Sequence, residues 1–239
     1  MNNETQQTVD SLSPRTEPLR TKIIKAIAFD MDGLILNTED LYDQVGTILM
    51  ERRGREYREE VRQQMIGLQA EHAFGILIKE EVLSETWQEL QAETTKIFEE
   101  ILPNQLRAMP GLEEFLEEVA RLKIPNCVAT SSTRAFAKKA LGQLHLLERF
   151  DFVITAEDVE QGKPKPDIYL AAAARMNTAV ENMLVLEDSP KGTEAGVSAG
   201  AYVVSVPNEH TKKGNFYGCQ WIADTLRDRR LYELLQEYR

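Results

Sequence analysis

The sequence predicts an α/β fold: a parallel sheet whose first strand is followed by an inserted block of helices. Three observations predict it. Short apolar runs rich in β-branched residues alternate with stretches of helical periodicity, as expected for strands buried on both faces of a parallel sheet. Each run stops at polar or charged residues, which a sheet of this kind presents at its carboxyl edge. Nothing between Thr38 and Pro103 reads as a strand. Together these describe a Rossmann-like core carrying an inserted α-helical cap.

In chain order, Ile23–Phe29 is the first apolar run, ended abruptly by Asp30-Met31-Asp32-Gly33. Thr38 to about Arg53 reads as a helix, with Leu41, Val45, Ile48 and Leu49 on one face and Gly54 ending it. Helical stretches follow over 56–65, 71–81 and 85–102, with Trp87 and Phe74 read as packing residues. The block 38–104 is the expected cap, entered near Asn37–Glu39 and left near Pro103–Met109, and 21–37 with 105–239 form the core. Pro110-Gly111 restarts the core. Leu112, Phe115, Leu116, Val119 and Leu122 mark an amphipathic helix. Ile124–Thr130 is a second strand and Phe150–Ile154 a third. An alanine-rich helix opens after Gly162-Lys163-Pro164-Lys165-Pro166-Asp167. Met183–Leu186 is a fourth strand ending at Glu187-Asp188, and Tyr202–Val206 a fifth.

Two carboxylates one residue apart, Asp30 and Asp32, repel each other unless a divalent cation sits between them. One is then free to act as ligand and nucleophile and the other to move protons. Three further groups fall at predicted strand ends: Thr130/Ser131, Lys163 and Glu187/Asp188. Each has an ordinary structural explanation alone: a helix cap, a surface lysine, a helix start with Pro190 in its first turn. Their order along the chain is what points to chemistry.

The formal net charge of −11 argues against a broad basic face for nucleic acid or anionic membrane. It leaves an anionic small molecule open, because a cation and one lysine reverse the field locally. No apolar run approaches the roughly 20 residues of a membrane span. Residues 1–20 are polar, contain Pro14 and Pro18 and lack a hydrophobic signal core, so a mobile tail and a cytoplasmic location are expected. Cys127 lies in an apolar run and reads as a small buried hydrophobe, and two cysteines make no disulfide framework. A monomer or weak homodimer is expected.

FDMDG followed by LILNT, a strand ending in Thr130-Ser131, QGKPKPD and LVLEDSP resembles, in this order, the four motifs of the haloacid dehalogenase-like superfamily, in its phosphohydrolase branch. The resemblance covers Ile23 to about Asn208. It implies that Asp30 attacks phosphorus and forms an aspartyl-phosphate, while Asp32 protonates the leaving oxygen and then activates water. It implies Mg²⁺ held by the Asp30 carboxylate, the Asp32 carbonyl and Asp188, with Glu187 orienting that shell. Thr130, Ser131 and nearby backbone N–H groups would bind phosphate oxygens, and Lys163 would offset their charge. Gly33 would let the chain turn close to the phosphate. The dehalogenases that name the superfamily lack the second Asp, so phosphorus chemistry is expected here.

The phrases MPGLEEF and LVLEDSPKGTEAGVSAGA are similar to the subgroup with a small helical cap, which includes phosphatases of small phosphorylated metabolites and β-phosphoglucomutases. A sugar phosphomutase is the alternative, and the residues depart from it. Tyr42 stands where mutases carry His. Gly67 matches the cap glycine of the family, yet Leu68, Gln69 and Ala70 follow it where mutases carry Arg for a second phosphate. Asn37 replaces a frequent Asp. Lys79 and Lys96 sit on charged helical faces and read as solvated. His72, His145 and His210 are isolated and receive no role.

Overall fold

The computed structural model of the chain describes residues 23–65 and 70–236. The expected tail at 1–20 and Gly67 lie outside them. Six parallel strands form one sheet, β1 (Ala26–Phe29), β2 (Asn126–Ala129), β3 (Phe152–Ile154), β4 (Met183–Glu187), β5 (Tyr202–Ser205) and β6 (Trp221–Ile222), in spatial order β3-β2-β1-β4-β5-β6. The α/β expectation holds. One strand goes beyond it: β6 has only two residues, too few for any periodicity to show.

The helices are α1 (Thr38–Glu51), α2 (Glu59–Met65), α3 (Ala70–Glu81), α4 (Trp87–Gln105), α5 (Leu112–Leu122), α6 (Arg134–Gln143), α7 (Asp167–Arg175), α8 (Pro190–Ala199) and α9 (Arg229–Gln236). Strand alternation decides which face they cover. Ile27 and Phe29 join a core with Leu112 and Phe115 of α5, Leu141 of α6 and Leu231 of α9. Ala26 and Ala28 face the other way, toward Ile168 and Tyr169 of α7 and Ala195 of α8. Small residues on that side let α7 and α8 close in, which later matters for Tyr169. Cys127 is fully buried there, and burial pushes its thiol up.

Helices α1–α4 lie between β1 and α5 in the chain and pack on one another through Leu41, Val45, Leu49, Leu77, Leu90, Ile97 and Leu102. Thr86 and Glu89 close a capping box at the start of α4. Arg53 bonds Glu85 at 2.8 Å and Glu93 at 2.7 Å, tying the end of α1 to α4. Phe74 packs against the core as expected, while Trp87 is only half-buried in the first turn of α4. The sequence places the end of α4 before Pro103, but the helix runs through it to Gln105. Proline removes a donor and crowds the carbonyl four residues back, but Gln143 donates to the carbonyls of Leu102 and Pro103, supporting that last turn from α6.

The two connections to this helical block run antiparallel beside each other. Leu36 pairs with Ala108, Asn37 N donates to Arg107 O at 3.1 Å and Met109 N to Ile35 O at 2.8 Å. Buried Asn37 adds a bond in each direction, accepting from Arg107 N at 2.8 Å and donating to Gln105 O at 3.3 Å. A carboxylate could do only the first, so the amide suits this crossing.

Phe115 joins three elements: its ring meets Phe29 of β1 at 5.9 Å and Tyr232 of α9 at 5.5 Å, both edge-to-face, and it is fully buried. Phe115→Ala is expected to cost about 3–5 kcal/mol, read as a lower urea midpoint at an unchanged m-value.

Candidate active site

Sheet register assembles the site. Phe29 of β1 stands level with Val128 of β2 and Leu186 of β4, so Asp30, Ala129 and Glu187 meet just past the paired residues. Asp30 N still donates to Leu186 O at 2.9 Å, which holds the first carboxylate on the sheet edge. Asp30, Glu187 and Asp188 are all buried, and an oxygen of each lies within 4.8 Å of the others.

Lys163 enters this acidic group from the segment before α7. Its ammonium donates to Asp30 Oδ1, to Glu187 Oε1 at 2.6 Å and to the Ala129 carbonyl at 2.9 Å. All three donors are used, and the charge is nearly sealed from water at 6 % side-chain exposure. Burial by itself would depress the ammonium, but Asp30 and Glu187 outweigh it and hold the pKa well above its ordinary value.

Glu187 accepts four hydrogen bonds: Lys163 and the Tyr169 hydroxyl (2.7 Å) on Oε1, and the Ser189 N–H and hydroxyl on Oε2. A Cβ on Gly192 would run into this carboxylate, so glycine is required there. With both oxygens occupied, Glu187 fits the holding of Lys163 and of the α8 start rather than direct ligation. Ser189 is the N-cap of α8, and Pro190 takes the first turn.

Asp188 Oδ2 accepts from Asn208 Nδ2 at 2.8 Å, and the same amide reaches Gly33 O at 3.1 Å. Gly33 has φ +83°, and a Cβ there would strike the Asp188 carboxylate and the Asn208 amide. The sequence assigns Gly33 an approach to phosphate; the close approach seen is to Asp188 and Asn208.

Asp32 stands apart from that cluster, in a cage of hydroxyls. Oδ1 accepts from Thr38 at 2.8 Å, and Oδ2 accepts from Thr130 at 2.9 Å and Ser132 at 2.8 Å. Thr130 is fully buried and also accepts from Ser132 N, so its hydroxyl is aimed at Asp32. Ser131 is exposed at the edge of the cavity. The cap of α6 is Thr133, which accepts from Phe136 N and leaves residues 130–132 free for the site.

Three carboxylates share one lysine, and the imbalance shows at Asp30 and Asp188. Burial is the largest cause raising Asp30, with Glu187 and Asp32 adding to it against Lys163. Burial likewise raises Asp188, followed by Asp30 and Glu187. An oxygen-only donor set with excess negative charge fits a hard divalent cation. Asp30 and Asp188 are the carboxylates placed to hold it.

Beyond Asp32 and Ser132 opens a cavity of ≈ 930 Å³, lined by α1–α4, the start of α6 and His210. Sequence reasoning missed Thr38, Ser132, Tyr169, Asn208 and His210, each of which lies far along the chain from the group it touches or carries no distinctive spacing.

Residues 27–206 match the family of haloacid dehalogenase-like hydrolases. The chain belongs to that family. A Drosophila melanogaster protein named "Probable pseudouridine-5'-phosphatase" is 35% identical over 199 residues, covering 80% of this chain and 86% of that protein. A "Phosphorylated carbohydrates phosphatase" of Thermotoga maritima is 31% identical over 74% of this chain and 82% of its own length. Among solved structures, a "putative beta-phosphoglucomutase" from Thermotoga maritima superposes with a TM-score of 0.74 at 28% identity, covering 89% of this chain and 97% of that one. The expected class, a phosphoric monoester hydrolase, stands with the phosphatase relatives. No helix among the described residues is long and apolar enough to cross a membrane.

A carboxylate whose folded pKa is raised loses stability as pH climbs from its ordinary value of 3.8 through the raised one. Asp188→Asn removes that penalty in the cation-free protein. In chelator, its melting temperature should exceed wild type at pH 7, with the gap closing toward pH 4. The gain should be several degrees, since 1 kcal/mol moves Tm by about 2–4 °C in a chain of this size.

Proposed function

We propose that the chain is a Mg²⁺-dependent phosphatase that hydrolyses a small phosphorylated metabolite through an aspartyl-phosphate on Asp30. The carrying observation is the division of labour between two nearby aspartates. Asp30 is clamped on Oδ1 by Lys163, while Asp32, two residues on, is turned into hydroxyls at the mouth of the cavity.

Phosphoryl transfer asks mainly for positioning and charge stabilisation. Asp30 attacks phosphorus with a carboxylate that Lys163 orients through Oδ1, and a bound cation would add the charge that favours its ionised form. Asp30, Asp188 and the Asp32 carbonyl would hold Mg²⁺, which supplies positive charge between the nucleophile and the phosphate oxygens. The loop after β2, with Ser131 at the edge of the cavity, receives the phosphate. Asp32 gives a proton to the leaving oxygen, then takes one from the water that opens the acyl phosphate. Its hydroxyl partners suit both states, because a hydroxyl can donate to a carboxylate or rotate and accept from a carboxylic acid. The block 38–104 acts as a cap that closes the cavity and excludes water. Two free cysteines accord with a cytoplasmic setting.

The substrate class comprises sugar phosphates, nucleoside monophosphates and phosphoglycolate-type esters. A mutase would need a cation for a second phosphate. Arg62 and Lys139, the cations lining the cavity among the described residues, are already paired with Asp43 and Glu59 and with Glu99. Gly67, Leu68 and Gln69 lie outside the described residues.

Asp30→Asn should lower turnover of p-nitrophenyl phosphate at least about 10³-fold with an unchanged circular dichroism spectrum; retained turnover refutes the nucleophile. Chelation should abolish activity and added Mg²⁺ restore it. With a sugar 1-phosphate and a catalytic amount of its bisphosphate, free phosphate should appear; isomerisation without phosphate release would establish the mutase instead.

A further inference from the structure

The cavity holds one charged group that the mechanism leaves unused. Glu39 lies in the first turn of α1, next to Thr38, whose hydroxyl bonds Asp32. It lines the cavity, and its charge is felt at Asp32. Among the described residues its carboxylate has no hydrogen-bond or ion-pair partner. The cations nearby are engaged elsewhere: Arg62 with Asp43, Glu59 and the His210 ring, and His210 with Asp40 at 2.9 Å. Burial, then the charge of Asp32, pushes Glu39 up to about 7 against a smaller opposing pull from His210 and Arg62, neither of which bonds it.

The wall beside it is aromatic. Tyr42, one turn further along α1, stacks on Phe98 at 4.8 Å, and Phe98 meets Phe136 edge-on at 5.4 Å. Tyr42 keeps 46% of its surface exposed although it lines the cavity, so that surface is offered to an occupant. The near end of the cavity therefore presents an unpaired acceptor and an apolar face, and no free cation among the described residues. An anionic occupant would meet a carboxylate with no bonded counter-ion in a poorly solvated place, and its own charge would oppose ionisation of Glu39.

We propose that Glu39 selects the leaving group: it accepts hydrogen bonds from hydroxyl or N–H donors on an uncharged leaving group and rejects esters that carry a second anion. This rests on the phosphatase reading and narrows it, setting glycolate-type, phosphoglycerate-type and bisphosphate esters aside. Selection of this kind works by leaving a wrong partner unpaired and repelled as much as by favouring the right one.

Glycerol 3-phosphate and 3-phosphoglycerate isolate the effect, because they differ in one terminal group, a hydroxymethyl against a carboxylate. Wild type should favour glycerol 3-phosphate by at least tenfold in kcat/KM. Glu39→Gln should shrink that ratio at least tenfold, while Glu39→Asp, which keeps the charge, should retain most of it. A merely structural role would lower both substrates in proportion and leave the ratio where it was, which would overturn the inference. The ratio is measured on whatever active protein remains, so partial loss of folding does not affect it. If wild-type protein with Mg²⁺ hydrolyses neither ester nor p-nitrophenyl phosphate, the phosphatase reading falls and this inference with it. If p-nitrophenyl phosphate is cleaved but the two esters are used equally, the phosphatase reading survives and the inference alone is overturned.

Discussion

The Lys163 ammonium is the interaction on which the site depends. It lies almost out of water between Asp30 and Glu187, with the Ala129 carbonyl taking its third donor. An isolated charge is costly to bury, and a buried pair is tolerated only when its remaining donors and acceptors are satisfied. Here they are: Tyr169 and Ser189 complete Glu187, and Lys163 has no donor left. The lysine thus bridges the carboxyl ends of β1, β2 and β4 and holds the Asp30 carboxylate in place. It does not neutralise the cluster. Asp188 remains a surplus acidic group beside Asp30, raised by burial and by its acidic neighbours, and such a donor set fits a divalent cation.

The two aspartates of the DxD motif face different environments, and the backbone accounts for it. Asp30 continues the β1–β4 ladder and points into the acidic group, while Asp32 follows the turn at Met31 and meets hydroxyls from α1 and from the loop after β2. Thr38 comes from α1 and Ser132 from the loop after β2, so Asp32 also joins the helical block to the sheet. Asn37 and the paired connections at 35–37 and 107–109 make a second junction a few residues away. His210 bonding Asp40 makes a third, from the loop after β5. The helical block is therefore anchored close to the chemistry, and rearrangement at any of these junctions would be felt at Asp32.

Much of the framework was legible because its signals are local. Apolar runs such as AIAF and MLVLE, bounded by turn residues, suit strands in a sheet covered on both faces, and the residues ending them then lie along one edge. Asp30, Lys163, Glu187 and Asp188 were found in this way, and the structure brings them together. Other features left no such trace. β6 is too short to show a period. Pro103 reads as a helix end, yet Gln143 of a separate helix supports the turn beyond it. Thr130 reads as a helix cap or a phosphate ligand, and its hydroxyl meets Asp32. His210 and Glu39 look like surface residues until the cavity is formed.

By itself the sequence determined the layering, the strand edge and the chemical types present there, since hydrophobic period and strand termini are properties of adjacent residues. Only the tertiary structure decided which donor satisfies which acceptor, for those pairs join residues as distant as Asp30 and Lys163 or Gly33 and Asn208. It also decided which groups stay unpaired. A carboxylate such as Glu39 becomes informative only when every cation around it is seen to be committed elsewhere, and that depends on how the helices close over the sheet.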